Sequence, residues 1–82
     1  MRFLDEEGAE FELVTGLRES IYRKDGKTYR IFSEPIVGGL GSYVAGKAFW
    51  FEPSGVPHEE RPLVQRDISK AFKELNQKAV FE

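Results

Sequence analysis

Hydrophobic and polar positions alternate along the first two thirds of the chain. In Glu10-Phe11-Glu12-Leu13-Val14, Phe11 and Leu13 share one side while Glu10 and Glu12 take the other, the period of two of a half-buried strand. Arg2-Phe3-Leu4-Asp5 pairs with it as a hairpin across Glu6-Glu7-Gly8. Ser20-Ile21-Tyr22-Arg23 and Thr28-Tyr29-Arg30-Ile31-Phe32 flank Lys24-Asp25-Gly26-Lys27. Asp-Gly suits a type I′ turn, because both central residues need positive φ, which Asp tolerates and Gly adopts freely. Regular central pairing is expected to stop at Glu34-Pro35-Ile36-Val37-Gly38-Gly39-Leu40-Gly41, since Pro35 has no N–H and three glycines weaken a ladder. Ser42-Tyr43-Val44-Ala45 and Ala48-Phe49-Trp50-Phe51-Glu52 then read as strands, with Gly46-Lys47 either a tight turn or a bulge between them. Residues 53–62, with three prolines, form a loop.

Beyond that loop the period changes. Val64, Ile68, Ala71, Phe72 and Leu75 recur at helical spacing, with Gln65, Arg66, Lys70, Lys73 and Glu74 on the opposite side. The spacing predicts a helix over about 63–77. Pro62 suits its start and Asn76 a left-handed cap at its end. A strand at 79–81 closes the chain. The expected fold is α+β: an antiparallel β-meander of five to six strands, one amphipathic helix packed on a sheet face, and a short C-terminal strand.

At 82 residues there is room for a single domain, 1–82, and the composition (40% hydrophobic, 32% charged) is that of a globular chain. Eleven aromatic residues supply much of its core. The absence of cysteine excludes disulfides, thiolate metal sites and cysteine nucleophiles. No apolar run is long enough to span a bilayer and the start turns acidic at once, so the expectation is a cytoplasmic protein with no membrane association. A net charge of −2 gives no general attraction to nucleic acid.

Gly41-Ser42-Tyr43-Val44-Ala45-Gly46-Lys47-Ala48 nearly matches a phosphate-binding loop. It fails at Ala48, where the motif needs a hydroxyl for Mg²⁺, and a strand follows where a helix should open. Glycines bending a strand beside a solvated lysine explain it better. His58 is the only histidine, so neither a stable metal site nor a nucleophile triad can be assembled. Asp5, Glu6, Glu7, Glu10 and Glu12 read as a solvated acidic surface. The expectations are no enzyme activity and no cofactor or metal.

Two binding readings remain. Arg18, Arg23, Lys24, Lys27 and Arg30 cluster around the central hairpin alongside Tyr22, Tyr29 and Phe32, the residue types of a single-strand nucleic-acid sheet. Against it stand the net charge and the missing signature of the common RNA-binding sheets, which make nucleic acid the alternative. The other reading starts from Phe49-Trp50-Phe51. Neighbours along a strand face opposite sides, so either Phe49 and Phe51 face the helix with Trp50 behind the sheet, or the reverse. An uncovered Trp50 is a candidate protein-binding anchor; a covered one is ordinary core. Tyr43, His58, Glu59 and Glu60 complete this candidate surface, the two glutamates meeting a basic partner.

Taken in order, several segments resemble a family of small α+β immunity proteins from bacterial polymorphic toxin systems. They are the Arg23-Lys24-Asp25-Gly26-Lys27-Thr28-Tyr29 hairpin, Glu34-Pro35, Tyr43-Val44-Ala45, Trp50-Phe51-Glu52-Pro53, the helix and Val80-Phe81-Glu82. The resemblance covers about residues 18–82; the hairpin at 1–14 and Gly38-Gly39-Leu40-Gly41 depart from the pattern. It implies a non-enzymatic protein that binds and neutralises a cognate toxin in the producing cell; the expected oligomeric state is a monomer or weak dimer.

Overall fold

The computed structural model describes residues 1–36 and 46–82. Alternation builds one six-stranded sheet in chain order: β1 (Arg2–Leu4), β2 (Glu10–Thr15), β3 (Glu19–Lys24), β4 (Lys27–Ile36), β5 (Gly46–Trp50) and β6 (Lys78–Phe81). A 3-10 turn at His58–Glu60 runs into α1 (Arg61–Glu74) between β5 and β6. Strands β1 to β5 pair antiparallel, as a meander should. β6 lies parallel to β5, because the helix carries the chain back across the sheet before the last strand begins.

The β3–β4 turn forms as its sequence requires, with Asp25 at φ 52 and Gly26 at φ 75 and Lys24 paired to Lys27. The β1–β2 turn is built differently. Asp5 is buried, and its Oδ1 accepts the backbone N–H groups of Glu7 and Ala9, each at 2.8 Å. It is therefore a structural turn residue and not part of a solvated acidic surface.

Pro35 lies inside β4, where an end to regular pairing was expected. The N–H of Ser33 points toward β3, donating to the Arg18 carbonyl at 3.0 Å. Two residues on, the Pro35 nitrogen points the same way, past the first residue of β3, so its missing donor interrupts no ladder. On its other side Pro35 pairs with Lys47. Gly46 opens β5 as neither turn nor bulge: a Cβ there would strike the Lys78 carbonyl oxygen of β6. The strand expected at 42–45, the glycines at 38, 39 and 41, and Tyr43 lie outside the described residues.

The helix starts and stops earlier than its apolar spacing suggests, at Arg61 and Glu74. Asn76 takes φ 56, Gln77 N–H donates to the Phe72 carbonyl at 2.8 Å, and Asn76 N–H donates to that of Lys73. These are the paired bonds of a left-handed helix stop. Val64, Ile68, Ala71 and Phe72 pack onto the inner sheet face against Phe3, Phe11, Leu13, Tyr22, Ile31 and Phe49, with Leu75 partly buried beside them. Phe49 meets Phe72 edge-on at 5.4 Å and stacks on Phe81 at 5.3 Å.

Candidate interaction surface

The inner face holds a polar cluster as well as the core. Asp67 sits on the buried side of α1, three residues after Val64 and four before Ala71. Its Oδ2 accepts the Tyr22 hydroxyl at 2.6 Å and Lys24 Nζ at 3.0 Å; the same ammonium donates to Asp5 at 2.5 Å. Arg66 approaches both carboxylates from the rim, at 3.6 Å from Asp5 and 3.4 Å from Asp67. The Lys24 hydrogen bond, helped by the backbone N–H groups, holds the Asp5 carboxyl down to about 2. Burial first, then the bond to Asp67, pushes the Tyr22 phenol well above its ordinary value. Burial opposes the charge on Lys24, but its two carboxylate partners outweigh this and raise its pKa. Such a cluster ties the β1–β2 turn, β3 and α1 together.

A second link uses Glu60. It accepts the Tyr29 hydroxyl at 2.7 Å and Lys27 Nζ at 3.0 Å, and these bonds, Tyr29's first, lower its pKa. Arg23 pairs with Glu12 at 3.3 Å. The basic and aromatic residues of the central hairpin therefore do not assemble into one surface. Tyr22, Lys24 and Tyr29 face inward toward the helix, while Arg23 and Arg30 fall on the outer side of the sheet. The two tyrosine rings and the two lysines are engaged with Asp67, Asp5 and Glu60 on the helix side, and of this set only the arginines lie on the outer face. The stacking rings and unengaged cations that a single-strand site needs side by side are therefore not presented together.

The outer face carries the other aromatics. Phe49 and Phe51 are core residues facing the helix, so Trp50 points behind the sheet. There it is half-buried and pairs across the strands with Phe32, which is 51% exposed. Phe32 and Trp50 floor a groove of about 350 Å³ that Arg18, Glu34 and Glu52 also line. Ser54 braces the pair from the loop side: its hydroxyl accepts the Phe32 N–H at 3.1 Å and donates to the Trp50 carbonyl at 2.6 Å. Val14 and Ile21 form a second cross-strand apolar pair on the same face.

The proposed loop residues do not join this surface. Val56 is buried in the core, and His58 and Glu59 are exposed on the 3-10 turn at the helix side. Glu60 is engaged with the hairpin, and His58 lines a different groove with Phe51, Arg61 and Gln65. The residue that the sequence reading missed as a partner of Trp50 is Phe32. Its signal was its phase, one step out from the buried Ile31 and Ser33.

Among the described residues, no three His, Asp or Glu side chains gather to hold a metal ion, and no helix is long and apolar enough to cross a membrane. Comparison with protein-family models, curated proteins and solved structures finds no match to this chain.

Proposed function

We propose that this chain is a non-enzymatic protein-binding domain whose contact surface is the outer sheet face around Phe32 and Trp50. In keeping with the resemblance, its partner is a toxin domain that it neutralises in the cytoplasm of the producing cell. The observation that carries the reading is the exposed Phe32–Trp50 pair on the face opposite the helix. Aromatic anchors of this kind dominate interface energetics. Both rings stand on adjacent hydrogen-bonded strands braced by Ser54, so little conformational freedom is lost when a partner docks. Glu34 at the groove rim favours an apolar side chain flanked by lysine or arginine, while Glu52 beside it is already paired with Arg61 at 2.8 Å.

The test is a comparative capture from producing-cell extract with three baits: the wild-type chain, Phe32→Asp and Glu59→Lys. The expected result is one toxin-domain protein retained by wild type and Glu59→Lys and lost by a folded Phe32→Asp. Equal retention by all three removes the outer face from the reading. Saturable binding of a single-stranded oligonucleotide, abolished by Arg23→Glu with Arg30→Glu, puts the nucleic-acid alternative first.

A further inference from the structure

The two edges of the sheet are finished differently. At β1 the Leu4 carbonyl accepts Lys70 Nζ at 2.8 Å, so a side chain from α1 reaches across that edge. At β6 no side chain does this among the described residues. Within a strand the N–H and C=O of one residue point to one side and those of the next to the other. Glu82 N–H donates to the Phe49 carbonyl of β5 at 2.9 Å, and the Lys78 carbonyl faces Gly46 of β5. Lys78, Val80 and Glu82 therefore spend their backbone groups on β5, and Ala79 and Phe81 hold theirs outward along the edge. The strand has no proline, and its inward side chains are the apolar Ala79 and Phe81, packed against the core. Two common obstacles to edge pairing are thus missing.

This edge is complementary to itself. Laid antiparallel on a second copy about a two-fold axis at Val80, Lys78 meets Glu82, Ala79 meets Phe81 and Val80 meets Val80. Each Ala79–Phe81 pair then exchanges two backbone hydrogen bonds, using the groups that point outward. Lys78 and Glu82 fall opposite each other in non-hydrogen-bonded pairs, where facing side chains come closest. Both are exposed, and neither is in an ion pair among the described residues. Axes at Ala79 or Phe81 also align the outward groups, but they set Lys78 or Glu82 opposite Val80. Only the register centred on Val80 joins the charges.

We propose that the β6 edge is a self-association surface, and that a second copy of this chain adds to it antiparallel in the Val80 register. The two six-stranded sheets become one, with α1 of each copy on the same side. An edge of four residues is short, so the contact belongs with weak interfaces that bury less than about 1,200 Å². Its Kd should be on the order of 100 μM. The inference does not rest on the partner-binding reading, because it uses the backbone edge of β6 and not the aromatic pair of β4 and β5.

The test is sedimentation equilibrium of the intact chain from about 10 μM to about 1 mM, a range that brackets the expected Kd. The average mass of wild type should rise from 9.4 kDa toward twice that value. Lys78→Glu and Glu82→Lys each set like charges opposite one another at both ends of the ladder, and should weaken association at least about fivefold. The double variant, Lys78→Glu with Glu82→Lys, restores opposite charges and should associate like wild type, which a loss of folding could not produce. Register is read separately. Val80→Cys, in a chain with no other cysteine, should cross-link to itself on mild oxidation, and Thr28→Cys, exposed on β4, should not. A wild type that stays at 9.4 kDa at about 1 mM overturns the proposal. Single variants that associate like wild type, a double variant no stronger than the singles, or equal cross-linking of the two cysteines also overturn it.

Discussion

The two faces of the sheet use the same residue types for opposite ends. On the inner face, Tyr22 and Lys24 both donate to Asp67, and Asp5 and Arg66 complete the cluster. On the outer face, Phe32 and Trp50 pair with one another, and a groove remains open over them. The hairpin that looks most like a binding element in the sequence is thus consumed by the fold. Phe32, which the sequence sets beside that hairpin's cations and not beside Trp50, is left at the surface. Residue type alone does not mark a site; the side chain's strand phase and its unspent hydrogen bonds do.

This contrast makes stability and binding separable, and the sharpest way to break it is in the inner cluster. Asp67→Ala leaves Lys24 and Tyr22 without their shared acceptor in a buried setting, and should destabilise by about 3–5 kcal/mol. Phe72→Ala, which empties the space against Phe49, should cost a similar amount, about 3–5 kcal/mol. For a domain of this size, total stability is about 4–12 kcal/mol, so either change consumes much of it. Urea denaturation followed by circular dichroism reads both, and a near-neutral Asp67→Ala would mean that the cluster is not structural. Tyr22→Phe keeps the ring stack and removes only the hydroxyl given to Asp67, an expected loss of about 1.5–3 kcal/mol.

Acid should act through the same cluster. The Asp5 carboxyl binds its proton more weakly folded, at about 2, than at its ordinary value of 3.8. Its contribution to stability is therefore complete above the ordinary value and is lost as pH falls through that window to about 2. Asp5→Asn should flatten this part of the pH–stability curve measured by urea titration; an unchanged slope would contradict the role of the Lys24 contact. The smallest effect is expected outside: Phe32→Ala, at a half-exposed position, should change stability by less than about 1 kcal/mol.

Much of this fold is legible in local pattern. Phe11 and Leu13 against Glu12, Asp25-Gly26 in the turn, and Val64, Ile68 and Phe72 at helical spacing place the strands, the hairpin and the helix's buried side. The direction of β6 is not legible there, because it is set by the crossover of α1 and not by anything in Lys78-Ala79-Val80-Phe81. Pro35 misleads for a related reason: its nitrogen is harmless only because β3 has already ended beside it. Asp67 carried a usable signal, its helical phase with Val64 and Ala71. Its partners Tyr22 and Lys24 stand 45 and 43 residues away, so only the tertiary fold reveals why a carboxylate belongs there. Tertiary placement likewise separates the expected surface from the observed one. Trp50 and Glu59-Glu60 are close in sequence, yet a strand end and a loop carry them to different sides of the sheet.

The claim that the outer aromatic pair binds a protein is tested most directly by titrating the captured partner into wild type and Phe32→Asp. Trp50 emission is the readout, since it is the chain's single tryptophan. The account predicts that wild type shows a saturable change in emission and that Phe32→Asp, while unfolding as cooperatively as wild type, binds at least about tenfold more weakly, as removal of a central anchor should. Equal affinity for the two chains, with Trp50 emission unmoved by a bound partner, would contradict it.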